Sequence, residues 1–202
     1  MLRNSLYGAA LMVALPLAIC AAQSTGTPVF QAPYRAFAHS EIGISLSEPS
    51  AGFDLEGSYR EGFTNSVDLG FRGGFHNGPG PDSRTDLLLG TDLRARLVTH
   101  SESFPLDGSF TAGLGMESGN GFTFGYVPIG FSMGRRVLIE GSDISLVPYA
   151  QPVLRLLFGD ASGTQFTLGF GLDARVTPRL DLRFSAAIGD MSGIGFTAAF
   201  LH

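Results

Sequence analysis

Apolar and polar residues alternate along most of the chain. In the stretch GFGLDARVTPRLDLRFSAAIG, residues 169–189, two alternating runs flank a short Thr-Pro-Arg turn. Leu172 and Phe184 lie on the apolar faces of the two runs, whereas Asp173 and Arg183 lie on the polar faces. A period of two is typical of a half-buried β-strand, and proline marks the turn between such strands. The stretch therefore predicts a β-hairpin with one apolar and one charged face.

The same alternation recurs along the chain and predicts about ten strands, with eight as the alternative count. The predicted strands cover residues 41–47, 52–60, 66–76, 85–99, 107–117, 121–134, 144–158, 169–176, 180–189 and 193–202. In the sixth strand the alternation changes phase near Pro128, which predicts a bulge or an edge-like irregularity there because proline cannot donate to the ladder. No segment shows helical periodicity of useful length, so the chain is predicted to be all-β.

The polar faces of these strands carry charges of both signs. Those charges are Asp54, Glu56, Arg60, Asp68, Arg72, Asp92, Arg94, Arg96, Arg155, Asp173, Arg175, Asp181 and Arg183. Every basic residue among them is arginine, whose fork pairs with carboxylates bidentately. An unpaired buried charge is costly, so a balanced set of acids and arginines is what an internal network requires.

Many glycines share the polar faces with these charges. They are Gly43, Gly70, Gly74, Gly90, Gly113, Gly115, Gly169, Gly171, Gly189 and Gly195. Glycine in a strand interior often marks a place where other groups approach closely. Crowding of this kind belongs to the inner wall of a small barrel. We therefore predict a closed antiparallel up-and-down transmembrane β-barrel, with the charges facing the lumen and the apolar residues facing lipid.

The first 22 residues have the layout of a secretory signal peptide. Arg3 precedes an apolar run, and Cys20-Ala21-Ala22 offers small residues for cleavage after Ala22. The alternative is lipidation at Cys20, although Ile19 occupies a position where a lipobox has a small residue. Residues 23–40 are predicted to form a periplasmic leader of uncertain structure, and residues 41–202 the barrel.

The overall charge and the motifs give no indication of a catalytic, cofactor or metal site. A net charge of −5 gives no electrostatic footprint for nucleic acid, and only 15% of the residues are charged. The run His100-Ser101-Glu102-Ser103 has residue types found in hydrolases, but sequence neighbours alternate faces on a strand, so a turn is expected there. The pattern G-D-x-S-G occurs at residues 159–163 and 189–193, and we interpret it as repeated turn chemistry.

Three features can be compared with known proteins: the signal, the amphipathic strands, and segments such as YVPIGFSMGRRV (126–137) and VPYAQPVLRLLFGD (147–160). In these features the chain resembles small bacterial outer-membrane β-barrels of the outer membrane protein A and opacity class. The resemblance implies a monomer in outer-membrane lipid, with both termini in the periplasm. Residues 47–52, 76–85, 117–121, 159–163 and 189–193 would then lie outside. It also implies that Phe196 and Phe200 form an assembly signal for the barrel assembly machinery, although His202 follows them.

The predicted role is structural or surface-interacting, or that of a narrow pore. About eight strands leave an interior that side chains fill, so ten strands with charged side chains inside leave at most a narrow polar path. Two alternatives are a secreted soluble β-barrel that binds an apolar ligand inside and an outer-membrane barrel hydrolase. No enzymatic activity and no nucleic-acid partner are expected.

Overall fold

The structure is a computed structural model that describes residues 25–34, 39–79, 84–119 and 121–202. Its regular elements are all β-strands: β1 (Glu41–Pro49), β2 (Phe53–Gly62), β3 (Val67–Asn77), β4 (Thr85–Val98), β5 (Asp107–Gly119), β6 (Phe122–Gly134), β7 (Val137–Leu138), β8 (Ser145–Gly159), β9 (Gly163–Thr177), β10 (Leu180–Gly189) and β11 (Gly193–Leu201). Among the described residues, no helix is long and apolar enough to cross a membrane.

Ten long strands close into a barrel in which each strand runs antiparallel to its neighbours. β1 pairs with both β2 and β11, which closes the sheet, and β6 pairs with β5 and β8. The remaining strand, β7, has two residues and pairs with the start of β8. The prediction of an all-β, closed up-and-down barrel with ten strands is therefore confirmed.

The barrel carries its large apolar side chains on the outside and its charges on the inside. Ile44 and Phe200 are 62% and 60% exposed, whereas Glu56 and Asp68 are 1% and 0% exposed. A barrel in water would show the reverse arrangement, because exposed apolar surface is unfavourable there. The exterior therefore has the character of a lipid-facing surface. The alternative of a soluble barrel with an apolar interior does not fit this arrangement.

The predicted bulge in the sixth strand is absent. The register between β5 and β6 is the same on both sides of Pro128, with Ala112 opposite Ile129 and Gly115 opposite Tyr126. The change of phase in the sequence has a different cause: Phe124 and Tyr126 face the lumen on the same side of the strand as Pro128. Tyr126 is 1% exposed.

The two G-D-x-S-G turns are capped in the same way. Asp160 accepts a hydrogen bond from the backbone N–H of Thr123, and Asp190 accepts one from that of Phe166, both at 2.7 Å. In each turn the preceding glycine has a positive φ, at 98° for Gly159 and 121° for Gly189. The aspartate of each repeat therefore binds its hairpin turn to the neighbouring strand. This role agrees with the interpretation of the pattern as turn chemistry.

Residues 25–34 run through the lumen. We call this stretch the luminal segment. Thr25 lies beside the turns that connect β1 to β2 and β10 to β11, at the end we call the vestibule end. At the opposite end, Ser40 accepts a hydrogen bond from the backbone N–H of His202 at 3.0 Å. The luminal segment therefore crosses the barrel before β1 begins.

This path gives a structure to part of the predicted leader. Residues 23–40 were expected to form a periplasmic leader of uncertain structure. The luminal segment is instead buried: Phe30 and Ala32 are 1% and 0% exposed. Thr25 lies at the end opposite His202. The physical reason is that the segment pairs with hydrogen-bonding groups of the lumen wall and covers its apolar surface. The signal peptide over residues 1–22, with the alternative of lipidation at Cys20, lies outside the described residues.

Candidate functional site: the occupied lumen

One half of the luminal charge network is centred on Arg60. Its guanidinium pairs with Asp68 and Asp92, and lies 3.8 Å from Oε1 of Glu41. Arg94 joins the network through a 2.8 Å ion pair with Asp68. All five groups are at most 4% exposed, so little water is available to solvate them. Mutual pairing is what makes this burial tolerable.

Gly70 makes room for this cluster. A Cβ at that position would overlap the guanidinium of Arg60 and lie 2.7 Å from an oxygen of Asp92. The glycine therefore allows the arginine to cross the strand beside it, in line with the crowding that the glycines predict.

The other half of the network is centred on Arg183. It donates two hydrogen bonds to Glu41, at 2.9 and 2.7 Å, and lies 3.4 Å from both Asp173 and Asp181. Asp181 also accepts two hydrogen bonds from Arg175, at 2.7 and 2.9 Å. Glu41 therefore connects the two halves into one network across strands β1–β4, β9 and β10.

Glu41 is the member that the sequence reasoning missed. Its position at the first residue of β1 placed it at the edge of the alternating pattern. The alternation nevertheless indicated a luminal position, because Glu41 lies two and four residues before Gly43 and Ser45 and so shares their face of the strand. Its burial at 4% exposure shows that the polar face of this strand begins at its first residue.

The remaining predicted luminal charges lie nearer the barrel ends. Asp54 accepts a hydrogen bond from Ser47 at 3.0 Å and lies 2.6 Å from Nδ1 of His76. Glu56 lies 3.4 Å from Nη1 of Arg72.

The last two predicted luminal arginines bind neutral groups. Arg155 donates to Gln165 at 2.6 Å and lies over the ring of Tyr126. Arg96 donates to the backbone carbonyl of Asn65 at 3.1 Å, near the end of the barrel opposite the vestibule.

The lumen wall holds the luminal segment largely by its main chain. Four side chains donate to its carbonyls: Arg155 to Gly26, Ser185 to Pro28, Ser132 to Gln31 and Arg94 to Ala32, at 3.3, 2.7, 2.7 and 2.7 Å. The backbone N–H of Gln31 donates to Oε1 of Gln151 at 3.1 Å. Most of these contacts do not depend on which side chain the segment carries.

Phe30 is the main apolar anchor of the luminal segment. Its ring belongs to a buried cluster with Ala32 and with wall residues of β8, β10 and the turn after β10, namely Val147, Tyr149, Val153, Ala187 and Met191. A Cβ at position 169 would overlap the ring of Phe30, so Gly169 provides the space in which the ring lies. The apolar wall residues would face water if the segment were absent.

Polar side chains fix the segment at three further points. Thr27 donates to Glu56 at 2.8 Å, and Nε2 of Gln31 lies 3.4 Å from Asp92. At the end opposite the vestibule, Arg136 donates to the hydroxyl of Tyr34 at 2.9 Å and lies over its ring. The segment is therefore attached along its whole described length.

A polar cavity of about 190 Å³ remains at the vestibule end. Its lining includes Thr25, Asp54, His76, Glu117 and Arg155. No group of three or more His, Cys, Asp or Glu side chains is arranged to hold a metal ion in the part of the chain that the structure describes. Thr25, Gly26 and Thr27 of the luminal segment form part of the cavity lining.

The residues considered for hydrolysis have structural partners. Nδ1 of His100 lies 3.1 Å from Asp107, whereas Ser101 hydrogen bonds with Ser103 and accepts the N–H of Phe104. These contacts lie within the connection between β4 and β5, which agrees with the expected turn. Phe196 and Phe200, the proposed assembly signal, lie on the outer face of β11 and are 43% and 60% exposed.

No protein-family model matches the chain, and no curated protein matches it. Similar solved structures include bacterial outer-membrane β-barrels. The β domain of the Bordetella autotransporter BrkA is 15% identical, with 81% of this chain and 98% of that chain covered and a TM-score of 0.48. The N-terminal barrel of Pseudomonas aeruginosa OprF is 15% identical (82% and 98% covered, TM-score 0.39), and Acinetobacter baumannii Omp33 is 12% identical (82% and 99% covered, TM-score 0.39). At these values the similarities do not bear on what the chain does.

Proposed function

We propose that the chain is an integral β-barrel of the bacterial outer membrane whose lumen is closed by its own luminal segment. Its role is structural or surface-interacting, and it does not act as an open pore. The observation that carries this proposal is the burial of the luminal segment, in which Val29, Phe30 and Ala32 are at most 3% exposed. We expect a lumen filled to this degree to leave no continuous water-filled path, which an ion needs because its desolvation is costly.

Two further expectations belong to the proposal. Phe196 and Phe200 serve as the assembly signal for the barrel assembly machinery, and the protein is a monomer in outer-membrane lipid. No catalytic role is proposed, because Ser101 hydrogen bonds with Ser103 and with the N–H of Phe104, and neither of these groups is a base. A nucleophile needs a base within hydrogen-bond reach to become reactive.

The membrane part of the proposal is tested by envelope fractionation followed by electrophoresis of boiled and unboiled samples. We expect the protein in the outer-membrane fraction, with a mobility that changes on heating, because a closed barrel resists cold detergent. A soluble periplasmic protein with one mobility would contradict the proposal.

The closed lumen is tested by conductance in planar lipid bilayers. The wild-type protein is expected to show no steady conductance. A variant with Ser132→Ala, Gln151→Ala and Ser185→Ala, which removes three groups that hold the segment, is expected to show intermittent openings. The matched control is Ser109→Ala, a buried wall serine whose hydroxyl has no partner among the described residues. Steady conductance of the wild type would contradict a closed lumen.

A further inference from the structure

We propose that the lumen wall is a binding site for a non-helical polypeptide segment, and that the luminal segment is its resident ligand. This inference rests on the proposed closure of the lumen and goes beyond it. A plug that only fills space needs complementary volume. A peptide-binding site has in addition groups placed to recognise the main chain, and those groups belong to the wall and not to the ligand.

The first observation is the set of main-chain contacts. Five wall side chains bind the segment's backbone between Gly26 and Ala32, and they come from β4, β6, β8 and β10. Four donate to carbonyls and one, Gln151, accepts an N–H. In sites where an extended peptide is bound, main-chain hydrogen bonds supply affinity and side-chain pockets supply specificity.

Members of this set are also held in place by the wall itself. Nε2 of Gln151 donates to Thr111 at 2.9 Å, and Arg155 donates to Gln165 at 2.6 Å. Arg94 is anchored by its ion pair with Asp68. A site whose groups are oriented before the ligand arrives loses less freedom on binding, so preorganisation favours affinity.

The second observation is a short pattern of side-chain requirements. Phe30 fills the slot above Gly169, so an aromatic side chain is required there. A Cβ at Gly26 would lie 2.8 Å from Nη1 of Arg155, and this glycine has a φ of 63°, so glycine is favoured at this position. Ala32 is 0% exposed, which leaves room only for a small residue.

These requirements define the ligand class. The site takes a non-helical peptide with glycine, then an aromatic residue four positions later, then a small residue two positions after that. In this chain the pattern is Gly-Thr-Pro-Val-Phe-Gln-Ala. The carbonyl of Pro28, between the glycine and the aromatic residue, accepts from Ser185 and lies beside Gly195.

The test uses the full chain with a protease recognition sequence, flanked by glycine and serine, in place of residues 35–38. After cleavage, boiled electrophoresis verifies that the luminal segment is separate from the barrel. In unboiled detergent solution we expect the cut segment to remain bound. A fluorescent synthetic peptide of residues 23–34, added in excess, should exchange with it and bind saturably.

Three variant peptides separate recognition from space filling. A Phe30→Ala peptide should bind at least about tenfold more weakly, because an aromatic anchor in a desolvated slot is lost. A peptide N-methylated at Gln31 should also bind at least about tenfold more weakly, because its N–H no longer reaches Gln151. The matched control is N-methylation at Tyr34, whose amide makes no contact with Gln151, and it should bind as the unmodified peptide does.

Two results would overturn the proposal. If the cut segment leaves the unboiled barrel and the added peptide does not bind, the covalent connection alone holds the segment. If a scrambled peptide binds as well as the natural one and N-methylation at Gln31 has no effect, the lumen is filled without main-chain recognition. The mobility shift of the uncut protein is read separately, so failure of the membrane proposal is distinguished from failure of this one.

Discussion

Two walls of the same lumen differ in how their buried polar groups find partners. The charged wall consists of Glu41, Arg60, Asp68, Asp92, Asp173 and Arg183, which pair largely with one another. The neutral wall consists of Ser132, Val147, Tyr149, Gln151 and Val153, on β6 and β8. Its serine and glutamine bind the luminal segment, and its apolar side chains pack around Phe30.

The difference indicates that the barrel is stabilised in two separable ways. Charges in a low-dielectric interior must be paired across strands, so the charged wall connects the strands that close the barrel. The neutral wall has fewer internal partners, so its apolar and polar groups are satisfied by a part of the chain that is not a strand. Changes to the charged wall should therefore lower the stability of the whole barrel, whereas changes to the neutral wall should release the segment.

The largest effect is expected from Arg60→Ala. The change leaves three carboxylates without their shared partner, and removing one member of a buried ion pair costs about 3–5 kcal/mol. We expect a lower urea midpoint for loss of the fast-migrating unboiled band, or no folded barrel at all. Arg135→Ala, at an exposed arginine, is the matched control and should change the midpoint little. An unchanged midpoint for Arg60→Ala would show that the network does not stabilise the barrel.

Phe30→Ala should act on the other wall. Removal of a buried phenylalanine ring costs about 3–5 kcal/mol at its own site. Because Phe30 belongs to the luminal segment, we expect release of the segment and conductance in bilayers, with the heat-dependent mobility of the barrel retained. Phe63→Ala, at an exposed ring outside the lumen, should produce no conductance. Loss of the barrel band in Phe30→Ala would mean that the two walls are not separable.

Gly169→Ala should also release the luminal segment and produce conductance in bilayers, but to a smaller extent than Phe30→Ala. The added methyl group overlaps the ring of Phe30, and overpacking of this sort costs about 1–3 kcal/mol. In the double variant with Phe30→Ala the overlap no longer exists, so the two effects should not add. Gly57→Ala is the control, because a Cβ there meets only a backbone oxygen at 3.9 Å. If the effects of the two single substitutions add strictly in the double variant, the ring of Phe30 does not lie against Gly169.

The smallest expected effect comes from Ser132→Ala. It removes one hydrogen bond to the carbonyl of Gln31, and such a bond contributes about 0.5–1.5 kcal/mol. The measurement is the dissociation rate of the cut segment described above, which should rise by roughly threefold to tenfold. Ser109→Ala, directly across the β5–β6 pair from Ser132, should leave that rate unchanged. Equal rates for the two variants would remove Ser132 from the binding site.

The sequence predicted the barrel because alternation is a long-range constraint. A shift of one residue in any strand would turn a row of charges toward lipid, so the inward faces of Asp68, Arg94 and Arg183 followed from the pattern alone. Glu41 had the right parity but stood at the edge of its strand. Pro128 misled the interpretation because luminal aromatics beside it imitate a change of phase.

The luminal segment could not be predicted in the same way. Residues 25–34 have no periodic pattern, because their side chains contact different parts of the wall: Thr27 binds Glu56, Phe30 packs in the apolar cluster and Tyr34 binds Arg136. The available signal was on the wall: Val147, Tyr149 and Val153 share the polar face of β8 with Arg155. Apolar residues on the inner face of an otherwise polar barrel require something apolar to cover them. Which segment covers them follows from tertiary contacts that the alternation does not contain.

The most direct test of the occupied lumen is the labelling rate of single cysteines. In a Cys20→Ala background the chain has no other cysteine, so Val29→Cys and Ser50→Cys can be compared with a water-soluble maleimide. Val29 is 3% exposed and Ser50 is exposed in a turn at the vestibule end. In the folded barrel, the cysteine at position 29 should react at least about a hundredfold more slowly, since it reacts only when the segment opens. After heat denaturation the two should react alike, whereas equal rates in the folded protein would contradict a segment buried in the lumen.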